Sequence, residues 1–457
     1  MINLDDTSQR VHFVGIGGVG VSAIAEILHN RGFKVSGSDT KSSDITQKLE
    51  HKGIDISYEH NENLVDGVHF LVYTTAVNFK HPELARAEAL NIPCISRPVM
   101  LGMLMDEYAN SIAVSGAHGK TTTSSMISMA LERTQMDPTI LIGGEVKDLG
   151  SNARVGTSNI LVAEACEYKE SFLNFHPHIA VLLNIDADHL DYYRDLDHIV
   201  EAFERYVMGL PENGILIYNA DDALCEKVAQ KSNCKIRLRF GLSERYEFHP
   251  TNLSKNEFGY PKFTLVSPNE SVTINLSVPG EHNIYNVMAA YAATTLVGTD
   301  PTLAAEFLSL FTGAARRFDE QGVYNGARII DDYAHHPSEV KATLKAARGL
   351  AHKKIICVFQ PHTYTRTLEL MNEFSTAFID CDELIITDIY ASREKDLGRV
   401  HSKDLVKRIE ETGQAVRYIG PFEDIISHLK EIISEGDLVF TMGAGNVSEL
   451  GKSLINL

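Results

Sequence analysis

The stretch Gly116-Ala117-His118-Gly119-Lys120-Thr121-Thr122-Thr123 stands between an apolar run, Ser111-Ile112-Ala113-Val114, and a helical pattern from Ser124 to Leu131. A strand–glycine loop–helix junction of this kind commits its segment to a parallel α/β domain. Loop N–H groups and a helix N-terminus converge on an anion only where a helix follows a strand. The longer phosphate-loop pattern has a glycine five residues before Gly119, where Val114 stands, so what remains is the shorter G-x-x-G-K-T-T. Its chemistry still works. Backbone N–H groups from Gly116 through Thr122 cradle phosphates, Lys120 neutralises charge on the β and γ groups, and Thr121 offers a hydroxyl to Mg²⁺. A triphosphate site also needs metal ligands at strand ends. Glu164 follows the run Ile160–Ala163 and His189 follows Ile179–Asn184. Each acid or imidazole taken singly could merely cap a helix.

A second glycine loop lies near the N-terminus. Gly15-Ile16-Gly17-Gly18-Val19-Gly20 follows the run Val11–Val14, and Asp39 closes the next run, Val35–Ser38. The glycines let the backbone approach a diphosphate, and the acid stands where a ribose partner belongs. This cradle suits any nucleotide diphosphate, so a nicotinamide-dependent dehydrogenase is one reading of it. That reading leaves the loop at Gly116 without purpose. A nucleotide sensor without turnover is a further reading.

The 457 residues suggest about three domains. A formal charge of −19 disfavours nucleic acid, whose phosphates need a basic footprint. The first residues lack the basic-then-apolar pattern of a signal peptide, and no run is long enough to span a membrane. Six cysteines without paired or metal-like spacing read as free thiols of a cytoplasmic protein. Phe70–Thr74 completes an α/β pattern in the first hundred residues. Short alternating runs between about 236 and 278 (Phe263–Val266 and Val272–Leu276 among them) predict a small antiparallel layer, and a helix follows from Ile284 to Leu296. A third α/β series runs through Arg328–Ile330, Ile355–Gln360, Glu383–Thr387 and Asp437–Met442. The expected class is α/β in three domains. Residues 1–106 form a Rossmann-like unit, 107–314 a P-loop ATPase-type α/β unit with the antiparallel layer, and 315–457 a second Rossmann-like unit.

Taken together, these stretches resemble the bacterial Mur ligases over essentially the whole chain. The resemblance is carried by His12–Gly20 with Ser36–Asp39, by Gly116–Thr123, by Glu164–Glu167, by Asp188-His189-Leu190-Asp191, by Gly280–Asn286 and by Arg316-Arg317-Phe318. It continues through Asp331–Pro337, Phe359–His362, Tyr364–Thr367 and Gly443–Asn446. It implies an ATP- and Mg²⁺-dependent carboxylate–amine ligase of peptidoglycan synthesis, acting in the cytoplasm as a monomer or weak dimer. The reaction implied joins L-alanine to the lactyl carboxylate of UDP-N-acetylmuramate through an acyl phosphate. The alternative is a recycling ligase that adds a murein tripeptide to the same nucleotide.

By position, Gly15, Gly17, Gly18, Gly20, Ser38, Asp39, Thr74, Arg97 and His118 would hold the nucleotide sugar, with His60 and Thr75 as further candidates near the uracil. Gly116, Ala117, His118, Gly119, Lys120, Thr121, Thr122, Asn283, Asn286, Arg317 and Asp332 would bind ATP. Thr121, Glu164 and His189 would hold the metal, and Tyr333, His335 and Arg366 the amino acid. Lys120, His189, His335, His336 and Arg366 would serve catalysis, one of the two adjacent histidines accepting the amine's proton at a pKa near neutral. Ala117, Cys166 and Thr363 depart from residues frequent in the family: a threonine, an acid and an arginine.

Overall fold

The computed structural model describes residues 2–74, 76–77, 80–146, 151–392 and 394–456. Its first sheet has five parallel strands, Arg10–Val14, Lys34–Ser38, Asp55–Ser57, Phe70–Tyr73 and Cys94–Ser96. With the strands numbered along this sheet, their order is 3-2-1-4-5. Arg10–Val14 is central: the chain first builds outward on one side of it through Lys34–Ser38 and Asp55–Ser57, then returns to pair Phe70–Tyr73 on its other side. That places the Gly15–Gly20 loop at the switch point, where such sheets bind ligands.

The second sheet has seven strands, and the expected run 111–114 is its middle strand, Asn110–Ser115. This strand lies between Ile160–Glu164, with Val114 opposite Glu164, and Ile179–Leu182, with Ser115 opposite Leu182. All three are parallel, so their C-terminal ends deliver three loops to one edge: the phosphate loop, residues 165–167 and residues 183–189. The strands are buried on both faces, which explains their uninterrupted apolar character. The face bearing Ala113, Leu161 and Ala180 belongs to a buried cluster that continues into the first sheet's core. The other face packs under the helix His282–Leu296.

The antiparallel layer expected over 236–278 begins later. Ile236–Phe240 pairs in parallel with Ile215–Asn219 as the outermost strand of the second sheet. Its alternating sequence, Ile-Arg-Leu-Arg-Phe, reflects the half-solvated position of an edge strand. Only His249–Lys255, Pro261–Val266 and Ser271–Asn275 form the separate antiparallel sheet.

The third sheet, six strands from Asp319 to Met442, centres on Ala327–Asp332, Leu438–Met442 and Ile355–Phe359. These too are parallel and in register at their ends, with Asp332 and Phe359 both opposite Met442. Residues 333–336, 360–366 and 443–446 therefore emerge together. The antiparallel strand Asp319–Tyr324 at its edge was not legible in the sequence.

Candidate active site

The helix Lys120–Arg133 starts at Gly119, whose φ of 86° is left-handed, and no side chain caps it. Its first-turn N–H groups are thus left to an incoming anion. A Cβ on Gly119 would stand 2.7 Å from Asn286 Oδ1, so the position has neither the conformation nor the room for a side chain. Asn184 fixes the loop from the neighbouring strand end. Its Oδ1 accepts the His118 N–H at 2.8 Å and its Nδ2 donates to the His118 carbonyl at 2.9 Å.

Lys120 Nζ donates to both carboxylate oxygens of Glu167, at 2.9 and 3.0 Å, and to the carbonyls of Gly116 and Ala117. Burial opposes the ammonium charge, but Glu167 holds the lysine well above its ordinary range. Glu167 in turn lies 3.8 Å from His189 Nε2, and Asp188 lies 3.9 Å from the same atom. Glu167, Asp188 and His189 offer three metal-ligand atoms within 4.8 Å of one another. Glu164 is outside that set, and its Oε1 accepts the Gly143 N–H at 2.8 Å. His189 sits at a φ of 55°, a conformation uncommon for a side-chain-bearing residue.

A cavity of about 320 Å³ opens beside the loop. It is lined by His118, Gly119, Thr121 and Thr122 from the second sheet's edge, by Asn283 and Asn286, and by Arg317, Asp332 and Glu339 from the third sheet's side. Asn286 Nδ2 donates to Asn283 Oδ1, and Asn286 Oδ1 accepts from Thr123 Oγ1. Arg317 Nη1 donates to Glu339 Oε1 at 3.3 Å. Burial raises the Asp332 carboxyl to about 6 although the N–H groups of Phe318 and Ala334 donate to it.

His118 joins the two sides. Its Nε2 lies 3.1 Å from Asp186 Oδ2 and its Nδ1 3.5 Å from Glu339 Oε1. Ser338 Oγ donates to the same Asp186 oxygen at 2.7 Å. Burial by itself would lower the imidazole, yet the two carboxylates raise it to about 9. The Asp186 carboxyl, bonded to His118, is depressed by the same contact, so the two shifts describe one interaction. A histidine raised on folding adds stability that is whole below about pH 6.5 and is lost as pH climbs through 9. Thermal melts should therefore show stability falling over that window, by on the order of 3 kcal/mol at most. His118→Gln should flatten the profile there. An unchanged slope in that variant would detach the pH dependence from this contact.

A second cavity, about 600 Å³, is lined by Asp188 and His189 on one side and by Tyr333, His335, His362 and Arg366 on the other. Arg366 Nη2 donates to Asp188 Oδ1 at 2.9 Å, and Nη1 lies 3.2 Å from His362 Nδ1. Burial alone would raise the Asp188 carboxyl, but His189 and Arg366 hold it well below the usual range. Tyr333 lies under both Arg316 and Arg317, ring centroid 4.9 and 5.1 Å from their guanidinium carbons.

One of the adjacent histidines was expected to accept a proton at a pKa near neutral, and burial opposes that charge at both. Burial pushes His335 down to about 4 and His336 also downward. His336 caps the helix Pro337–Arg348: its Nδ1 accepts the Ser338 N–H, leaving Nε2–H to donate to the Ala187 carbonyl. Both its nitrogens thus have structural partners. His335 Nδ1 lies 2.9 Å from the Tyr333 carbonyl, so the N–H belongs on Nδ1 and Nε2 keeps a lone pair.

In the N-terminal loop, the Gly17 N–H donates to Asp39 Oδ2 at 2.8 Å, and the N–H groups of Gly15 and Ile16 donate to the Ser38 carbonyl. Asp39 thus braces the loop, and a ligand must share it. Gly18 caps the helix Val19–Asn30. The Arg97 guanidinium packs against Gly20, and Thr74 packs against Gly15, whose φ of 76° and close contact leave no place for a Cβ. His60 bonds to Glu83, and Thr75 lies outside the described residues. Glu167, Asp188, Asp186, Ser338 and Glu339 were absent from the expected site residues. The first two lie inside the resembling stretches Glu164–Glu167 and Asp188–Asp191, but their sequence positions do not say which acid turns inward.

Two glycine loops at sheet switch points, with a lysine–carboxylate–histidine cluster between two cavities, define a nucleotide-dependent enzyme of three α/β units. Family models agree over nearly the whole length. Residues 10–109 match the Mur ligase family catalytic domain, 114–294 the Mur ligase middle domain, and 316–445 the Mur ligase glutamate ligase domain. The chain belongs to the Mur ligase family.

Among its relatives, the UDP-N-acetylmuramate–L-alanine ligase of Acetivibrio thermocellus is 49% identical over 98% of this chain and 96% of its own. That of Alkaliphilus metalliredigens is 45% identical over 99% and 98%. The crystal structure of the Thermotoga maritima UDP-N-acetylmuramate–alanine ligase superposes with a TM-score of 0.77 at 26% identity, covering 98% of both chains. A murein peptide ligase from Psychrobacter arcticus shares the fold, with a TM-score of 0.70 at 22% identity over 98% of both chains. Among the described residues no helix is long and apolar enough to cross a membrane.

Proposed function

We propose that this chain is an ATP-dependent ligase that joins L-alanine to the lactyl carboxylate of UDP-N-acetylmuramate, releasing ADP and phosphate. One observation carries the chemistry. The phosphate loop, through Lys120 and Glu167, and the second cavity, through Asp188 and His189, meet at one cluster. A phosphorylated carboxylate formed on one side is thus presented to an amine on the other. The substrates follow from relatives of that name at 42–49% identity along the chain.

In this reading the units 1–106, 107–314 and 315–457 take the nucleotide sugar, ATP and the amino acid respectively. The lactyl carboxylate attacks the γ-phosphorus, ADP leaves, and the amine then displaces phosphate from the acyl carbon while losing a proton. Lys120 stabilises the charge passing between phosphates, and the uncapped helix start accepts it. Arg366 takes the amino acid's carboxylate, sharing its guanidinium with Asp188. His335, kept neutral by burial, can accept a proton at Nε2, although at about 4 it is a weak base. His336 holds the helix start and acts through position. Glu167, Asp188 and the Thr121 hydroxyl are hard oxygen donors that suit Mg²⁺, with His189 beside them. The ion would neutralise phosphate charge there. The setting is the cytoplasm, and the active form a monomer or weak dimer.

Phosphate release from ATP and Mg²⁺, with each co-substrate added or withheld, tests this. Release should require both UDP-N-acetylmuramate and L-alanine. Release that ignores alanine but responds to a murein tripeptide would favour the recycling ligase instead.

A further inference from the structure

Outside the two cavities, one group of metal-binding side chains stands beside the first sheet. His60, His81 and Glu83 each offer one ligand atom, and these lie within 4.8 Å of one another. Glu83 is fully buried, and it accepts hydrogen bonds from Ser38 Oγ at 2.7 Å, His12 Nε2 at 3.0 Å and His60 Nδ1 at 3.1 Å. Burial by itself would raise its carboxyl, but these partners hold it lowered, so its charge is kept inside the protein.

His81 is the second observation. Both its ring nitrogens are buried without a hydrogen-bond partner, and each group left unsatisfied destabilises the fold. It stands at the start of the helix Pro82–Ala89 yet does not cap it. The rings of His336 and His401, in the same position on their helices, do. Its ring centroid is 4.3 Å from that of His60, with the planes at 81°. Orphaned buried polar atoms in a native fold call for a water or an ion, and two imidazoles beside a carboxylate match one class of ion.

We propose that His60, His81 and Glu83 bind a divalent transition-metal ion of the zinc type, next to the strand that carries Ser38. The donor set is two nitrogens and one carboxylate oxygen, with a fourth position left to water. Bonds of about 2.0–2.1 Å in a tetrahedral site put ligand atoms about 3.3 Å apart, close to the 3.1 Å between His60 Nδ1 and Glu83 Oε1. His12 and Ser38 then orient the ligating carboxylate from behind, as outer partners do in such sites. Because the Ser38 carbonyl also accepts the Gly15 and Ile16 N–H groups, the ion braces the first glycine loop. It is distinct from the Mg²⁺ cluster at Glu167, and its uptake does not depend on the ligase reading.

The test uses the full-length protein stripped with chelator and titrated with Zn²⁺ by calorimetry and with Co²⁺ by visible absorption. One equivalent of Zn²⁺ should bind, and Co²⁺ should give the intense bands of a tetrahedral site. His81→Ala should weaken binding at least tenfold and abolish those bands, while His189→Ala should retain them. His60→Asn, at a ring 26% exposed, should also weaken binding and keeps the test decisive if His81→Ala misfolds by circular dichroism. No stoichiometric uptake by the wild type would overturn the assignment. So would wild-type binding by His60→Asn, or loss confined to His189→Ala.

Discussion

Lys120→Ala is expected to lower kcat by about 10³-fold or more, since a single preorganised charge on a transferring group is worth that much. The structure adds a second consequence that the motif alone does not carry. Lys120 is also the cation bonded to both oxygens of Glu167, which is 2% exposed, with Asp188 nearby. Removing it leaves a buried carboxylate without its partner, at a cost of about 3–5 kcal/mol for a fully buried pair. Single-turnover phosphate release and denaturant melts should therefore both change. Lys120→Ala combined with Glu167→Gln should recover much of the stability and none of the activity. Recovery of turnover in the double variant, or near-normal kcat in the single one, would sink the assignment of the phosphate loop.

Arg366→Met should raise the KM for the amino acid by about 100-fold or more while leaving the KM for ATP within a few-fold. The reasoning is geometric. Among the described residues Arg366 is the guanidinium lining the 600 Å³ cavity, and a carboxylate recognised by two parallel N–H bonds loses both when the fork is removed. Asp188, only 9% exposed at its side chain, loses its cation as well. Some fall in kcat should accompany the KM effect, because Asp188 belongs to the cluster with Glu167 and His189. Arg366→Lys restores the charge but not the fork, so it should rescue kcat more than KM. Initial-rate kinetics varying one substrate at a time decide it. A rise confined to the KM for ATP would move Arg366 to the phosphate side.

The Lys120 result draws on a motif that periodicity and glycine placement made legible, and most parallel strands of the three large sheets were readable in the same way. Buried parallel strands are continuous apolar runs, and each is followed by a helix pattern. Ile236–Phe240 misled because an edge strand alternates whether its neighbour is parallel or antiparallel, and pairing direction is not a local property. Asp319–Tyr324, with Glu and Gln near its start and Gly322 within it, carries no such run at all. Thr121, Glu164 and His189 were singled out as metal ligands from the phosphate loop and the neighbouring strand ends. Beside these the structure brings Glu167 against Lys120 and Asp188 toward His189, contacts that depend on how the loops leave the sheet.

From the sequence alone came the α/β class, both glycine loops, the lysine and threonine of the phosphate loop, and the family. Each is written in neighbouring residues, through the two-residue period of strands, the helical period and the turn-forming glycines. Tertiary structure decided the rest. It placed His118 against Asp186 and Glu339, Arg366 against Asp188, and a buried His336 at a helix start, where it holds structure and burial lowers its pKa. Those outcomes depend on burial and on charges up to 178 positions apart in the chain. A pKa or a hydrogen bond is fixed by distance in space and loss of water, neither of which a local pattern records.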